Sequence, residues 1–550
     1  MQKEVTFMKK SFIKKLGALA SIATAFALVL SGCGGSTASN NTLRLVTNAA
    51  PNSLNHIAIS EVANFEIVTQ YLEGLVTHDA NGEIIGSMAE SWTANADSSE
   101  YVFKIRDGVK WSDGNPVTAH DFVFGWQQLA TSKTAPYGFM AAILKNGQDV
   151  IDGKKDASEL GVKATSATEL VVTLEEPIAY FLELMSFLAF CPLSEAFYNN
   201  VGAENYGTSV DTVLANGPFE LTEYKSDEGW TYVKNANYWD AANVKLDGVD
   251  VRYVQEGSTA SSLYDSGEID RLVLTSDLVD KYKDSAELTK QPDVSIRYLY
   301  LSNNTATPEP LLGNKNFRAA IAHAIDKSVI GDSILKDGSI GADYLIPLGF
   351  AEYDGKDFRE FSGKYNTPMF DVAKAQEYLE AAKKELGDTP LTFTIALPDT
   401  EANKKIYENI ESQVEANLPG VDVVLNQVPN QLYYPQLYEL ATPAANSGWT
   451  PDYLDVSTYF GVFRTNNDGN FGQFSDARFD ELYNESESAA LVNDQTARWT
   501  NYVEAESILI DSYSTIPLYQ TGVMSVVKPN IKGLYKYPAA GWVYKFVSKE

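Results

Sequence analysis

The sequence predicts a multi-domain α/β protein, on three observations. The chain has 550 residues, more than one compact core organises at the ~100–200 residues usual for a domain. Strand-type alternation and helix-type periodicity both recur along its length, mixed without strict order. Hydrophobic residues make up 44% and charged residues 21%, a globular composition that excludes a largely disordered chain.

The first element is an address. Met8 to Lys15 (MKKSFIKK) is basic, and Leu16 to Leu30 is an apolar run of 15 residues, short of the ~20 that span a bilayer. The run ends in Leu30-Ser31-Gly32-Cys33, which resembles a bacterial lipobox. That resemblance implies a signal peptide over 1–32 and a diacylated Cys33 as the new N-terminus. Residues 33–41 then form a lipid-anchored tether, flexible in its Gly-Gly-Ser-Thr-Ala-Ser-Asn-Asn part. The expected location is the extracytoplasmic face of the cell membrane, with the protein held there by lipid. No later apolar run is long enough to cross a bilayer, which excludes a polytopic membrane protein.

Along the mature chain, Leu43 to Thr47 and Glu100 to Arg106 alternate like strands. Asp107-Gly108 and Asp113-Gly114-Asn115-Pro116 supply turn chemistry. Thr118 precedes a helix with Phe122, Trp126 and Leu129 on one face. Pro177 to Leu193 is the most apolar mature stretch, and Glu183 within it favours buried core over membrane. Phe317, Ala320, Ile321, Ala324 and Ile325 mark an amphipathic helix with Asn316 as its expected N-cap. Asp371 opens another helix, with Val372, Ala375, Leu379, Ala382 and Leu386 on its apolar face and Gly387 as C-cap.

Charge and rare residues narrow the function. The net charge is −30, and removing the +4 that residues 1–32 carry leaves −34. Nucleic-acid binding needs clustered Lys and Arg, so it is excluded. Of two cysteines, Cys33 lies in the processing region and Cys191 is left alone, so neither an intrachain disulfide nor a cysteine zinc cluster can form. His56, His78, His120 and His323 show no metal spacing, and no G-x-S-x-G, P-loop or H-E-x-x-H occurs. No enzyme signature and no cofactor is indicated. The 31 tyrosines serve either the core or a pocket for varied side chains.

Several blocks in order resemble the family 5 extracellular solute-binding proteins. They are Ala89-Glu90-Ser91-Trp92, Tyr101 to Gly114 (YVFKIRDGVKWSDG) and Pro116 to Phe122 (PVTAHDF). Asn216-Gly217-Pro218-Phe219, Asn235 to Trp239 (NANYW) and Ser266 to Asp270 (SGEID) follow, then Phe317 to Ile321 (FRAAI), Ala324-Ile325-Asp326 and Gly448 to Tyr453 (GWTPDY). The likeness covers nearly all of 43–550 and is greatest to the oligopeptide-binding branch that serves ABC importers. It implies a multi-lobed periplasmic-binding-protein-like α/β fold of type II, three lobes enclosing the ligand by hinge closure. Lobe I would combine 42–72, 197–300 and 519–550, lobe II would span 73–196, and lobe III 301–518. Trp111, Gly114 and Trp239 read as turns and packing anchors that identify the family without touching ligand.

The resemblance also implies how a ligand is held. A receptor for many peptides must grip the backbone and the charged terminus that all share. Asp452 matches the aspartate that pairs with the peptide α-ammonium, although an Asp after Pro is also a common turn residue. Gly448 and Thr450, flanking Trp449, match positions whose main chain pairs with the peptide, while Pro451 has no N–H to give. Ser60 and Val62 align with a facing strand edge. Tyr137 aligns with an aromatic near the peptide N-terminus, or else is a packed core tyrosine. Some relatives carry arginines just before the Gly-Trp block for the ligand carboxylate. Leu437 to Ser447 (LYELATPAANS) has no Arg or Lys, and Asn446 stands at such a position. The ligand C-terminus is therefore held differently or left free, which disfavours a strict dipeptide or tripeptide clamp. The expected partners are oligopeptides, the permease subunits of the importer and, through the anchor, the membrane, for a monomeric receptor without metal. A dedicated receptor for a signalling peptide, or for nickel, haem or a sugar, is the alternative. Scarce histidine speaks against metal, and Asp452 for an amine-bearing ligand.

Overall fold

A computed structural model describes residues 41–79, 83–303, 309–363, 368–534, 536–537 and 541–550. Residues 41–550 form one compact unit. The signal peptide, Cys33 and nearly all of the tether lie outside the described residues.

Three sheets organise the unit. In the first, Thr42–Thr47 runs parallel to Gly248–Tyr253, and Gly229–Lys234 and Phe219–Lys225 continue it antiparallel. The second is antiparallel, in the order Ala89–Ala94, Glu100–Ile105, Glu169–Thr173, Val162–Ser166. The third has seven strands. Its main path runs Arg271–Val273, Thr515–Val527, Leu288–Leu301, Ala444–Trp449, Thr392–Pro398, Asp422–Val428.

Local sequence explains these elements. In Thr42–Thr47, Leu43 and Leu45 point inward and are buried, as period-2 alternation requires. Helix Ala119–Thr131 buries Phe122, Trp126 and Leu129, and Thr118 and Asp121 close a capping box at its start. Pro177 to Leu193 is core, with Phe181, Leu184, Met185 and Phe190 buried. Its lone charge, Glu183, meets His78 Nε2 at 2.8 Å. Helix Val372–Leu386 begins at Asp371, whose side chain accepts from the Lys374 N–H, and ends at Gly387. One boundary differs from expectation. Helix Lys315–Ala324 is capped by Asn314 rather than Asn316, because the Asn314 side chain accepts from the Phe317 N–H at 3.0 Å. Asn316 lies inside the helix, and its amide instead donates to Glu385.

The first two sheets share one hydrophobic core, which Ile531, Trp542 and Val547 also enter. The third sheet is packed by separate clusters, one beneath helices Lys315–Ala324, Val372–Leu386 and Glu401–Asn417. Another gathers Ile296, Tyr459, Phe460, Trp499 and Tyr502. The family motifs sit where the first core is locked. Trp111 is buried, Gly114 takes φ +86°, and the Arg106 guanidinium lies 4.0 Å above the Trp239 ring. Cys191 is buried and unpaired.

Candidate ligand-binding site

The strand Ala444–Trp449 has one covered edge and one that is largely open. On one side it pairs with Leu288–Leu301 over its whole length, from Leu301↔Ala444 to Ile296↔Trp449. On the other it meets Thr392–Pro398 only at Ala396↔Ala445. Beyond that bridge the two strands part. The Tyr433 hydroxyl fills the gap, donating to the carbonyls of Ala396 and Asn446. Backbone groups of alternate strand residues point the same way. Gly448 and Thr450, two and four residues past Asn446, therefore aim at the edge that no strand covers.

Trp449 faces the covered edge, and its indole N–H donates to Thr458 Oγ1 at 3.0 Å. The Thr450 hydroxyl is bonded to Ser295 Oγ at 2.8 Å, which leaves its main chain for other partners. At the end of this edge stands Asp452. Among the described residues no cation lies within 4 Å of its carboxylate. Its one side-chain partner is the Tyr137 hydroxyl, which donates to Oδ1 at 3.4 Å. Burial raises the Asp452 carboxyl and the Tyr137 bond pulls it part of the way back, so that on balance it is pushed up to about 6. Burial, and then the adjacent carboxylate, raise the Tyr137 phenol in turn.

The loop carrying Asp452 is fixed from below. Arg498 is fully buried and grips Asp455 through two bonds of 2.9 Å, then Glu487 at 2.7 Å and the Ser486 carbonyl at 2.9 Å. Burial opposes the Asp455 charge, but this guanidinium holds its carboxyl below the usual range. Tyr137 is fixed by rings: Phe187 at 4.9 Å and Phe65 at 5.7 Å between centroids. Next to Asp452, Tyr453 stacks on Tyr180 at 4.4 Å.

The structure thus brings Asp452 and Tyr137 together and sets Gly448 and Thr450 along the approach. Ser60 and Val62 are exposed, Val62 at 60%. They do not form the strand edge expected of them. Ser60 follows the turn at 56–58, and Val62 opens helix Val62–Val68, whose Asn64 and Phe65 N–H groups bond the Glu61 carbonyl. One turn along, Phe65 touches Tyr137, so this helix adjoins the site. Sequence reasoning missed Phe65, Tyr180, Phe187 and the Arg498 clamp, because nothing in spacing separates a packed ring from a site ring. Among the described residues no cluster of His, Cys, Asp and Glu could hold a metal, and no helix is long and apolar enough to cross a membrane.

Comparison with known proteins agrees with this architecture. The profile of the bacterial extracellular solute-binding proteins, family 5 Middle, matches residues 83–471. The chain is 30% identical to the oligopeptide-binding protein OppA of Bacillus subtilis over 557 residues, 97% of this chain and 99% of that one. It is 30% identical to the dipeptide-binding protein DppE of the same organism over 490 residues, 88% of each. Among solved structures, Listeria monocytogenes OppA bound to peptide superposes with a TM-score of 0.76 at 34% identity, over 93% of this chain and 99% of that one. The fold is thus the mixed α/β type II architecture of the periplasmic binding proteins. The chain belongs to the family 5 extracellular solute-binding proteins, a family of binding proteins rather than enzymes.

Proposed function

We propose that this protein is the lipid-anchored receptor of an ABC peptide importer, capturing extracellular oligopeptides and delivering them to the permease. The observation that carries the reading is Asp452, a half-buried carboxylate with no cation among the described residues, at the end of an open strand edge. A peptide α-ammonium supplies the missing charge, and a charge-assisted bond in an enclosed site is about twice as strong as a neutral one. The peptide backbone extends the third sheet past Gly448 and Thr450. On the facing side, Ser60 and Val62 offer main-chain groups at a helix start, where the first N–H groups have no partner inside the helix. Tyr137 orients Asp452, and Trp449 fixes the strand end. Cys33 carries the lipid. The segments 42–72, 197–300 and 519–550, then 73–196, then 301–518 act as three lobes that close on the ligand, in a protein that works as a monomer. The relatives named for oligopeptide and dipeptide binding support this ligand class. The pheromone receptor PrgZ, 28% identical with a TM-score of 0.76, favours a dedicated signalling peptide as the second reading.

The test is native mass spectrometry of the chain from residue 34 onward, before and after denaturation. A spread of peptide masses supports a broad receptor, and a single peptide mass the dedicated one. A protein that carries no peptide and binds none from a peptide mixture overturns both.

A further inference from the structure

Arg297 stands out among the charged residues. The chain has ten arginines, all within the described residues. Five pair with carboxylates. Two bond backbone carbonyls, one bonds Asn484, and one lies over the Trp542 ring. The Arg297 side chain has no hydrogen bond, no ion pair and no ring contact among the described residues, although acidic side chains outnumber basic ones 73 to 43. It is half-buried, so it has given up part of its hydration without a partner, an arrangement that costs free energy.

Its position is specific. Arg297 sits opposite Gly448 in the register of the third sheet. Its side chain lies across the Gly448 α-carbon, where an added Cβ would meet Arg297 Cδ at 2.6 Å and Nη1 at 2.8 Å. Gly448 is thus the residue that leaves room for the guanidinium. Nearby, Tyr407 of helix Glu401–Asn417 is buried, and its hydroxyl also lacks a hydrogen-bond partner. The Arg297 charge reaches that hydroxyl and that of Tyr519.

We propose that Arg297 receives a carboxylate of the ligand beside the open edge at Gly448. This rests on the peptide reading above and adds the second charge to it. Asp452 lies four residues beyond Gly448, at most about 13 Å away along extended chain. A ligand on this edge therefore meets an unpaired carboxylate at one end and an unpaired guanidinium further along. The planar fork of arginine donors matches a carboxylate bidentately, which an amide cannot reproduce. The carboxylate is either the ligand C-terminus or an acidic side chain.

Calorimetry with defined peptides tests this. The probes are tri-, tetra- and penta-alanine, their C-terminal amides and N-acetyl forms, and tetra-alanine with Glu or Gln at its third position. The wild type should bind at least one carboxylate-bearing probe about tenfold or more tightly than its neutral counterpart. Loss of affinity on amidation assigns the C-terminus, and a Glu-over-Gln preference assigns a side chain. Arg297→Gln should abolish that preference while leaving affinity for the neutral probes within about twofold. Arg297→Lys should retain part of it, which separates charge recognition from a packing defect. If peptides bind and need a free α-ammonium but Arg297→Gln matches the wild type, the Arg297 role is wrong and the peptide reading stands. If no probe binds the wild type, both fall.

Discussion

The ring of Tyr453 lies on that of Tyr180, centroids 4.4 Å apart and planes inclined by 11°. Tyr453 follows Asp452 directly, and Tyr180 belongs to the apolar segment that packs in the first core. The stack therefore joins the loop bearing the proposed ammonium site to the apolar segment Pro177 to Leu193. The Tyr137–Asp452 bond and a Ser98–Asn493 contact of 3.5 Å likewise join segments distant in the chain.

If the molecule opens to release ligand, this stack breaks. An aromatic pair is worth roughly 0.5–1.5 kcal/mol beyond its area, so Tyr180→Ala should weaken ligand binding about 2- to 12-fold. The loss should appear in the dissociation rate, because closure holds the ligand in. Surface plasmon resonance with immobilised receptor reads this. An unchanged off-rate would show that the stack persists when ligand leaves.

The Asn216 motif should behave in the opposite way. Asn216 is buried, its amide donates to the Glu73 carbonyl at 2.9 Å, and its Oδ1 accepts from the Glu73 N–H at 2.9 Å. Glu73 in turn accepts from the Tyr238 hydroxyl at 2.6 Å and the Trp239 indole at 3.3 Å. Asn216→Ala leaves the Glu73 N–H and carbonyl, both partly buried, without this partner and should cost about 2–4 kcal/mol of stability. Affinity at a temperature where the variant is folded should stay within about twofold. Urea unfolding and calorimetry measure the two separately.

This contrast explains what was legible in the sequence. The blocks that identify the family, from Trp111 through Asn216 to Trp239, are buried polar and aromatic locks, and their chemistry shows in residue type and order. Strands such as Leu43 to Thr47 and helices such as Val372–Leu386 were legible because one face is apolar. The helix at Val62 was not, because its short stretch shows neither period clearly. The ring cluster of Phe65, Tyr137 and Phe187 arises from long-range packing that no local pattern encodes. Arg297 left a trace that went unread, as a single charge in the apolar run Ile296-Arg297-Tyr298-Leu299-Tyr300-Leu301.

The Arg498 clamp offers a stability test near the site. Removing a fully buried guanidinium leaves Asp455 and Glu487 facing each other without a cation. Breaking a buried pair in this way costs about 3–5 kcal/mol, so Arg498→Ala should lower the melting temperature sharply. The wild type should also lose stability in acid through this group. The Asp455 carboxyl lies below its usual range, so its contribution is present above the ordinary value near 3.8 and is lost as pH falls through the lowered one. Thermal melts of wild type and variant should therefore converge toward low pH, and curves that stay parallel down to pH 2 would refute the coupling.

Asp452 gives the sharpest pH signature. Burial pushes its carboxyl up to about 6, whereas an α-ammonium needs the ionised form. Affinity for a neutral-side-chain peptide should be nearly flat above pH 7 and fall about tenfold per unit well below pH 6. Asp452→Asn should bind weakly and without that slope. Stability of the empty protein runs the other way. A raised carboxyl contributes fully below the unfolded value near 3.8, and that contribution is lost as pH rises through 6. At pH 7 the empty wild type therefore carries the cost of a half-buried unpaired charge, on the order of 2–3 kcal/mol. Empty Asp452→Asn should melt higher than empty wild type at pH 7, with the difference shrinking toward pH 4. Ligand should reverse the order, because an ammonium on Asp452 stabilises only the wild type. Differential scanning calorimetry across pH 4–8, with and without peptide, measures both, and a variant that melts below the empty wild type at pH 7 would refute the unpaired charge.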